Sequence, residues 1–111
     1  VAKLVVMYLD QSLEVLLGIG KERIECHARD LSEQVYAGLE GLGLTMISPQ
    51  NREARSGNTC CIYEEAESLK DRLVEQRVLC DVYGGRMRIA THAFNGSADV
   101  ERFLDVLARL I

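Results

Sequence analysis

The sequence predicts an α+β domain: a small, mostly antiparallel sheet with helices packed on one face, in the order α-α-β-β-α-β-β-α. Three observations lead there. Ile24, Ala28, Leu31, Val35, Leu39 and Leu42 recur at spacings of three and four, which is one face of a long helix. Val78–Tyr83 and Arg86–Thr91 flank Gly84-Gly85, two apolar, β-branched runs around a pair that favours a tight hairpin turn. Ser97–Ile111 closes the chain as an amphipathic helix, with Val100, Phe103, Leu104, Leu107 and Leu110 or Ile111 on one side.

The remaining elements follow in order. Residues 3–17 are compatible with a helix despite Val5 and Val6, and Gly18 and Gly20 are expected to break it. The long helix runs from about Lys21 to Leu42, with Gly41 and Gly43 supplying its stop. Leu44–Ile47 reads as a short strand ended at Ser48-Pro49, because Pro49 has no N–H for a ladder. A polar loop, Gln50–Gly57, separates it from a second strand at Asn58–Tyr63. Glu64–Gln76 reads as a helix facing inward through Ala66, Leu69 and Leu73, with acidic residues where the helix dipole favours them. Gly96 or Ser97 caps the last helix.

Composition excludes several functions. The chain has 111 residues, enough for a single domain over 1–111 with one core and too few for two. A net charge of -4 gives no attraction to phosphate backbones, and with no Trp and two Phe there are few stacking platforms, so no nucleic-acid partner is expected. The longest apolar stretch, Val1–Leu9, is interrupted by Lys3 and followed by Asp10, so no membrane partner is expected either. Cys26, Cys60, Cys61 and Cys80 show no C-x-x-C spacing, and neighbours on a strand point to opposite faces. Buried reduced thiols in a cytoplasmic protein fit better than disulfides, and no metal site is expected. The chain opens on Val1 and not on Met, which suggests a portion of something longer.

The chemistry concentrates in Tyr83–Val100, YGGRMRIATHAFNGSADV. Arg88 sits on a strand just past a tight turn, three residues separate it from His92, and Asn95 precedes a helix start. An arginine on a rigid strand can present its planar fork to a carboxylate and hold it through two parallel hydrogen bonds. On the residues alone, the plainer reading is an exposed strand arginine paired with a surface carboxylate. Cys26 and His27 are helix neighbours whose side chains diverge, which is no catalytic pair.

The run R-I-A-T-H-A-F-N-G-S-A-D-V resembles the R-x-S-x-H-x-Y-N-x-x-x-D signature that closes the small C-terminal domain of class V aminotransferases. Cysteine desulfurases, selenocysteine lyases and kynureninase-like enzymes belong to the same group. Upstream, GIGKERIECHARDLSEQVYAGLEGLGLTMISP is similar to that domain's long helix and first strand, through the pattern I-G-x-x-x-I-x-x-H-x-x-x-L. RSGNTCCIYEEAESLKDRL resembles the strand and helix that follow. Ala90 stands where Ser is usual and Phe94 where Tyr is common, which removes two hydroxyls from the loop.

The resemblance implies the C-terminal small domain of a larger pyridoxal-phosphate enzyme acting on an amino acid. Arg88 would bind the substrate's α-carboxylate, and His92 and Asn95 would shape the turn beside it. It further implies that a separate large domain of the same polypeptide holds the pyridoxal 5'-phosphate, and that the enzyme is a homodimer. This domain itself would supply no catalytic and no cofactor-binding residue and would be inactive alone. Lys3, Lys21 and Lys70 lie on solvated helix stretches and match no Schiff-base context. Two alternatives stand beside this reading. One is a cysteine desulfurase or selenocysteine lyase of the same family, although Cys80, eight residues before Arg88, leaves no room for a mobile nucleophile loop. The other is a stand-alone, non-catalytic α+β ligand-binding domain.

Overall fold

The computed structural model describes residues 2–111. Its elements run α1 (Ala2–Ile19), α2 (Lys21–Gly41), β1 (Thr45–Met46), a 3-10 turn at Arg52–Ala54, β2 (Asn58–Ile62), α3 (Ala66–Glu75), β3 (Asp81–Tyr83), β4 (Arg86–Ala90) and α4 (Ser97–Leu110). The four strands form one sheet in the order β1-β2-β4-β3, each pair antiparallel. The α+β class and the element order are those read from the sequence.

Strand alternation divides the sheet into a covered and an open face. Thr59, Cys61, Val82, Met87 and Ile89 are buried. They meet Leu31, Val35 and Leu39 of α2, Ala66, Leu69 and Leu73 of α3, and Val100, Phe103, Val106 and Leu107 of α4. Burying such side chains stabilises by roughly 1.5–3 kcal/mol each, which makes this the cluster that holds the fold. Gly38 lets α2 and α4 approach: a Cβ there would fall 2.3 Å from a methyl of Leu104. The one hydroxyl pair in the core is satisfied, since Ser32 Oγ lies 3.1 Å from Thr59 Oγ1. Arg55, its side chain 6% exposed, pairs with Glu33 and lies over the Tyr36 ring, 4.2 Å from the centroid.

Boundaries differ from the sequence reading for identifiable reasons. Gly18 does not break α1, which continues to Ile19; it is Gly20, at φ +99°, that turns the chain. Helical φ is as open to glycine as to any residue, whereas a positive φ strongly selects it. The first strand is shorter than Leu44–Ile47, because Ile47 and Ser48 both donate to the Cys60 carbonyl and leave the regular ladder. Cys80 lies outside β3, which starts at Asp81, so its placement within a strand is corrected.

No residue of α1 is buried. Its large apolar side chains range from 38% exposed at Leu16 to 72% at Tyr8. Lys3, Asp10, Gln11 and Glu14 share one side of it, and solvated apolar side chains cover the rest, an exposed surface of the kind that marks an interface. No helix among the described residues is long and apolar enough to cross a membrane.

Candidate functional site

The site is built on β4 and the loop after it. Gly84 and Gly85 both take positive φ, +57° and +72°, the geometry of a two-residue hairpin whose twist matches its strands. That turn sets the register: Tyr83 faces Arg86, Val82 faces Met87 and Asp81 faces Arg88. On β4, Met87 and Ile89 point into the core, so Arg86, Arg88 and Ala90 lie on the open face. Cys60 of β2 is the register partner of Arg88 on its other side.

Arg88 therefore stands in the middle of the open face, between Cys60 and Asp81. Its Nη2 lies 2.8 Å from Asp81 Oδ2, and both side chains are 57% exposed. The contact is a surface ion pair and not a buried one, so the guanidinium stays accessible. The sequence reading missed Asp81 as a partner, although counting back from a two-residue turn places it opposite Arg88.

The following loop is held by hydrogen bonds from four residues. Asn95 Oδ1 accepts from the His92 N–H at 3.0 Å, and the Asn95 N–H donates to the His92 carbonyl at 3.0 Å, closing the turn on itself. His27 Nε2 lies 2.6 Å from the Asn95 carbonyl oxygen. Since a carbonyl only accepts, Nε2 carries the hydrogen there. Thr91 Oγ1 reaches the carbonyls of Ala28 and Gly57, each at 3.3 Å. Asp99 Oδ2 accepts from the Gly96 N–H at 2.9 Å, capping α4. His92 is exposed, its ring stacked 5.1 Å from that of Phe94. Asn95, Thr91 and His27 are thus groups that fix the loop, with no hydroxyl at Ala90 or Phe94.

A cleft of about 200 Å³ opens beside this loop, lined in part by Arg77, Cys80, Asn95, Asp99 and Arg102. It forms beside the segment 77–80 that leads into β3, which begins at Asp81. Burial, with the nearby Asp81 carboxylate, pushes the Cys80 thiol up from its ordinary value. Burial does the same to Cys61, up to about 11. Both thiols are held protonated, the opposite of an activated nucleophile. Cys26 is exposed, but the His27 ring beside it is engaged by Asn95.

Pyridoxal phosphate, which the motif resemblance implies, has no fitted seat in this domain. Lys3, Lys21 and Lys70 are exposed and do not line the cleft beside this loop. The Gly84 N–H is already taken by Glu67 Oε1 at 2.8 Å, so the glycine pair does not cradle a phosphate. No group of three potential metal ligands occurs among the described residues.

An antiparallel sheet with one open face, crossed by an arginine and bordered by a helix-capping loop, defines this α+β domain. The chain belongs to the kynureninase C-terminal domain family, whose model matches residues 23–107. Its fold is similar to that of the apo cysteine desulfurase from Thermococcus onnurineus NA1, with a TM-score of 0.77 and 21% identity over 84% of this chain and 27% of that one. A NifS-like protein matches with a TM-score of 0.69 and 18% identity, over 78% of this chain and 27% of that one. The chain thus spans about a quarter of the length of each solved relative, and at these identities the likeness is one of fold. No curated protein matches. The kynureninase-like group named from the motif is consistent with that family.

Proposed function

We propose that this chain is the substrate-binding small domain of a pyridoxal-phosphate-dependent enzyme acting on an amino acid, with Arg88 holding the substrate's α-carboxylate. The observation that carries the proposal is the accessible guanidinium of Arg88 on the open sheet face, within the Arg88–Asp99 motif. A carboxylate arriving from above the sheet meets a planar, permanently charged fork on a strand that cannot retreat. His92 and Asn95 shape the loop at the end of that strand. The cofactor, which supplies the electron sink for chemistry at the amino acid's α-carbon, belongs to a large domain of the same polypeptide. That large domain also covers α1, and the enzyme works as a homodimer in the cytoplasm.

Cysteine desulfuration, named by one solved relative, is the second reading. Against it stand a Cys80 that is half-buried and pushed toward its protonated form, and a short segment where a mobile loop would be needed. The test is the full-length protein given L-cysteine, L-kynurenine and a panel of other amino acids, with product analysis for each. Turnover of an amino acid that is lost with Arg88→Gln supports the proposal. Turnover unaffected by that change removes Arg88 from the site, and sulfide release from L-cysteine favours the second reading.

A further inference from the structure

Asp81 carries the further step, which rests on the carboxylate-binding reading of Arg88. We propose that Asp81 is a positioning residue: it holds the Arg88 guanidinium over the open sheet face in the orientation that receives the substrate carboxylate.

The geometry supports positioning over competition. Asp81 and Arg88 are register partners on β3 and β4, so the backbone ladder fixes their separation. The ion pair runs from Nη2 of the guanidinium to one carboxylate oxygen, Oδ2, at 2.8 Å. An arginine has five N–H donors in a rigid fork, and a single-oxygen contact leaves the others free for a two-pronged grip. A free arginine side chain loses much rotamer freedom when it captures a ligand, and Asp81 removes part of that loss beforehand. The register partner on the other side, Cys60, and the same-strand neighbour Ala90 offer no carboxylate, and Arg86 would repel. The same contact pairs Arg88's charge with a carboxylate. The open face then selects a ligand that can form two parallel hydrogen bonds over any passing anion.

Because both side chains are 57% exposed, the pair is open to salt. Its effect is correspondingly limited, roughly two- to fivefold in affinity.

The experiment measures binding of L-alanine, the smallest chiral amino acid, and of L-alaninamide, which lacks the carboxylate, to the full-length protein by titration calorimetry. Asp81→Asn and Asp81→Ala are expected to weaken L-alanine binding roughly two- to fivefold while leaving L-alaninamide binding unchanged. Asp81→Glu is expected to restore part of the loss. Unchanged or tighter L-alanine binding in Asp81→Asn overturns positioning, the tighter result showing a carboxylate that competes with the ligand. Arg88→Gln separates the two levels. If it abolishes the preference for L-alanine over L-alaninamide while Asp81→Asn has no effect, Arg88 keeps its role and Asp81 loses this one. If the wild type shows no preference for L-alanine over L-alaninamide, or Arg88→Gln leaves that preference intact, the carboxylate reading itself fails.

Discussion

His27 Nε2 and the carbonyl oxygen of Asn95 lie 2.6 Å apart, joining the long helix α2 to the loop that follows β4 across 68 residues of sequence. Each belongs to a different part of the family pattern: His27 to the helix, Asn95 to the motif that begins at Arg88. The bond fixes the loop from outside while the Asn95 side chain fixes it from within. His27→Ala should cost about 1 kcal/mol of stability, the net worth of an exposed hydrogen bond to a backbone carbonyl. His27→Gln, which keeps a donor, should recover part of it. Thermal unfolding gives the first quantity, and faster exchange of the Asn95 amide in His27→Ala would localise it to the loop. An unchanged loop amide would show that the bond holds nothing.

How far the sequence alone reached can be judged at this contact. The periodicity of Leu31, Val35 and Leu39 and the glycine pair at 84 and 85 were sufficient for the α+β order, because both signals are local. His27 was visible as part of a pattern, yet its partner depends on how α2 crosses the sheet, which no spacing encodes. Asp81 is an intermediate case: the hairpin register puts it opposite Arg88, so the pair was derivable, but the atoms through which they meet, Nη2 and Oδ2, were not. Gly18 misled because glycine marks a turn only where the backbone takes positive φ, and that happens at Gly20.

Arg77 is the one non-glycine residue with positive φ among the described residues, at +59°. It ends α3 in a Schellman arrangement, in which the Val78 N–H bonds to the Leu73 carbonyl and the Arg77 N–H to that of Val74. Glycine is the usual occupant, and a side chain there costs roughly 1 kcal/mol. Arg77→Gly should therefore raise stability by no more than about 0.5 kcal/mol, after allowing for the freedom glycine adds to the unfolded chain. Chemical denaturation midpoints measured at constant slope would check it, and a loss of stability would mean the Arg77 side chain contributes more than its backbone costs.

Cys61 gives a pH dependence with a definite sign. Burial raises its thiol from an ordinary 9.0 to about 11, so between those values the folded chain keeps a proton that the unfolded chain releases. Stability must then fall as pH rises from about 9 toward 11, because the folded state binds more protons throughout that window. Such a shift corresponds to at most about 3 kcal/mol. Cys61→Ala should lose stability at neutral pH by leaving a cavity, yet show a shallower decline above pH 9 than the wild type. Parallel declines for the two proteins would remove Cys61 as the source.

The exposed apolar surface of α1 makes a prediction about association. Val5, Val6, Leu9, Leu13, Leu16 and Leu17 are exposed, and none has a partner inside the domain large enough to bury it. The 111-residue chain alone should self-associate at micromolar concentration through this helix. Replacing Leu9 and Leu13 by Glu should shift sedimentation toward the monomer while leaving the thermal midpoint nearly unchanged, since neither side chain contributes to the core. A wild-type chain that sediments as a monomer at all concentrations would contradict this.

Arg88→Lys tests the functional proposal at its centre. Lysine keeps the charge and loses the planar fork, so a carboxylate once held by two parallel hydrogen bonds keeps one at best. Charge-assisted hydrogen bonds are worth about 1.5–3 kcal/mol each, which is on the order of ten- to a hundredfold in affinity. Folding should change little, because Arg88 is 57% exposed and its pair with Asp81 is a surface one. In the full-length protein, KM for the amino acid should therefore rise ten- to a hundredfold while the thermal midpoint moves by no more than a degree or so, roughly the surface-substitution range. Pyridoxal-phosphate content should be unaltered, since Arg88 is assigned to the substrate and not to the phosphate. A fall in stability comparable with the loss in substrate binding would return Arg88 to the plainer role of an arginine that ties β3 to β4 through Asp81.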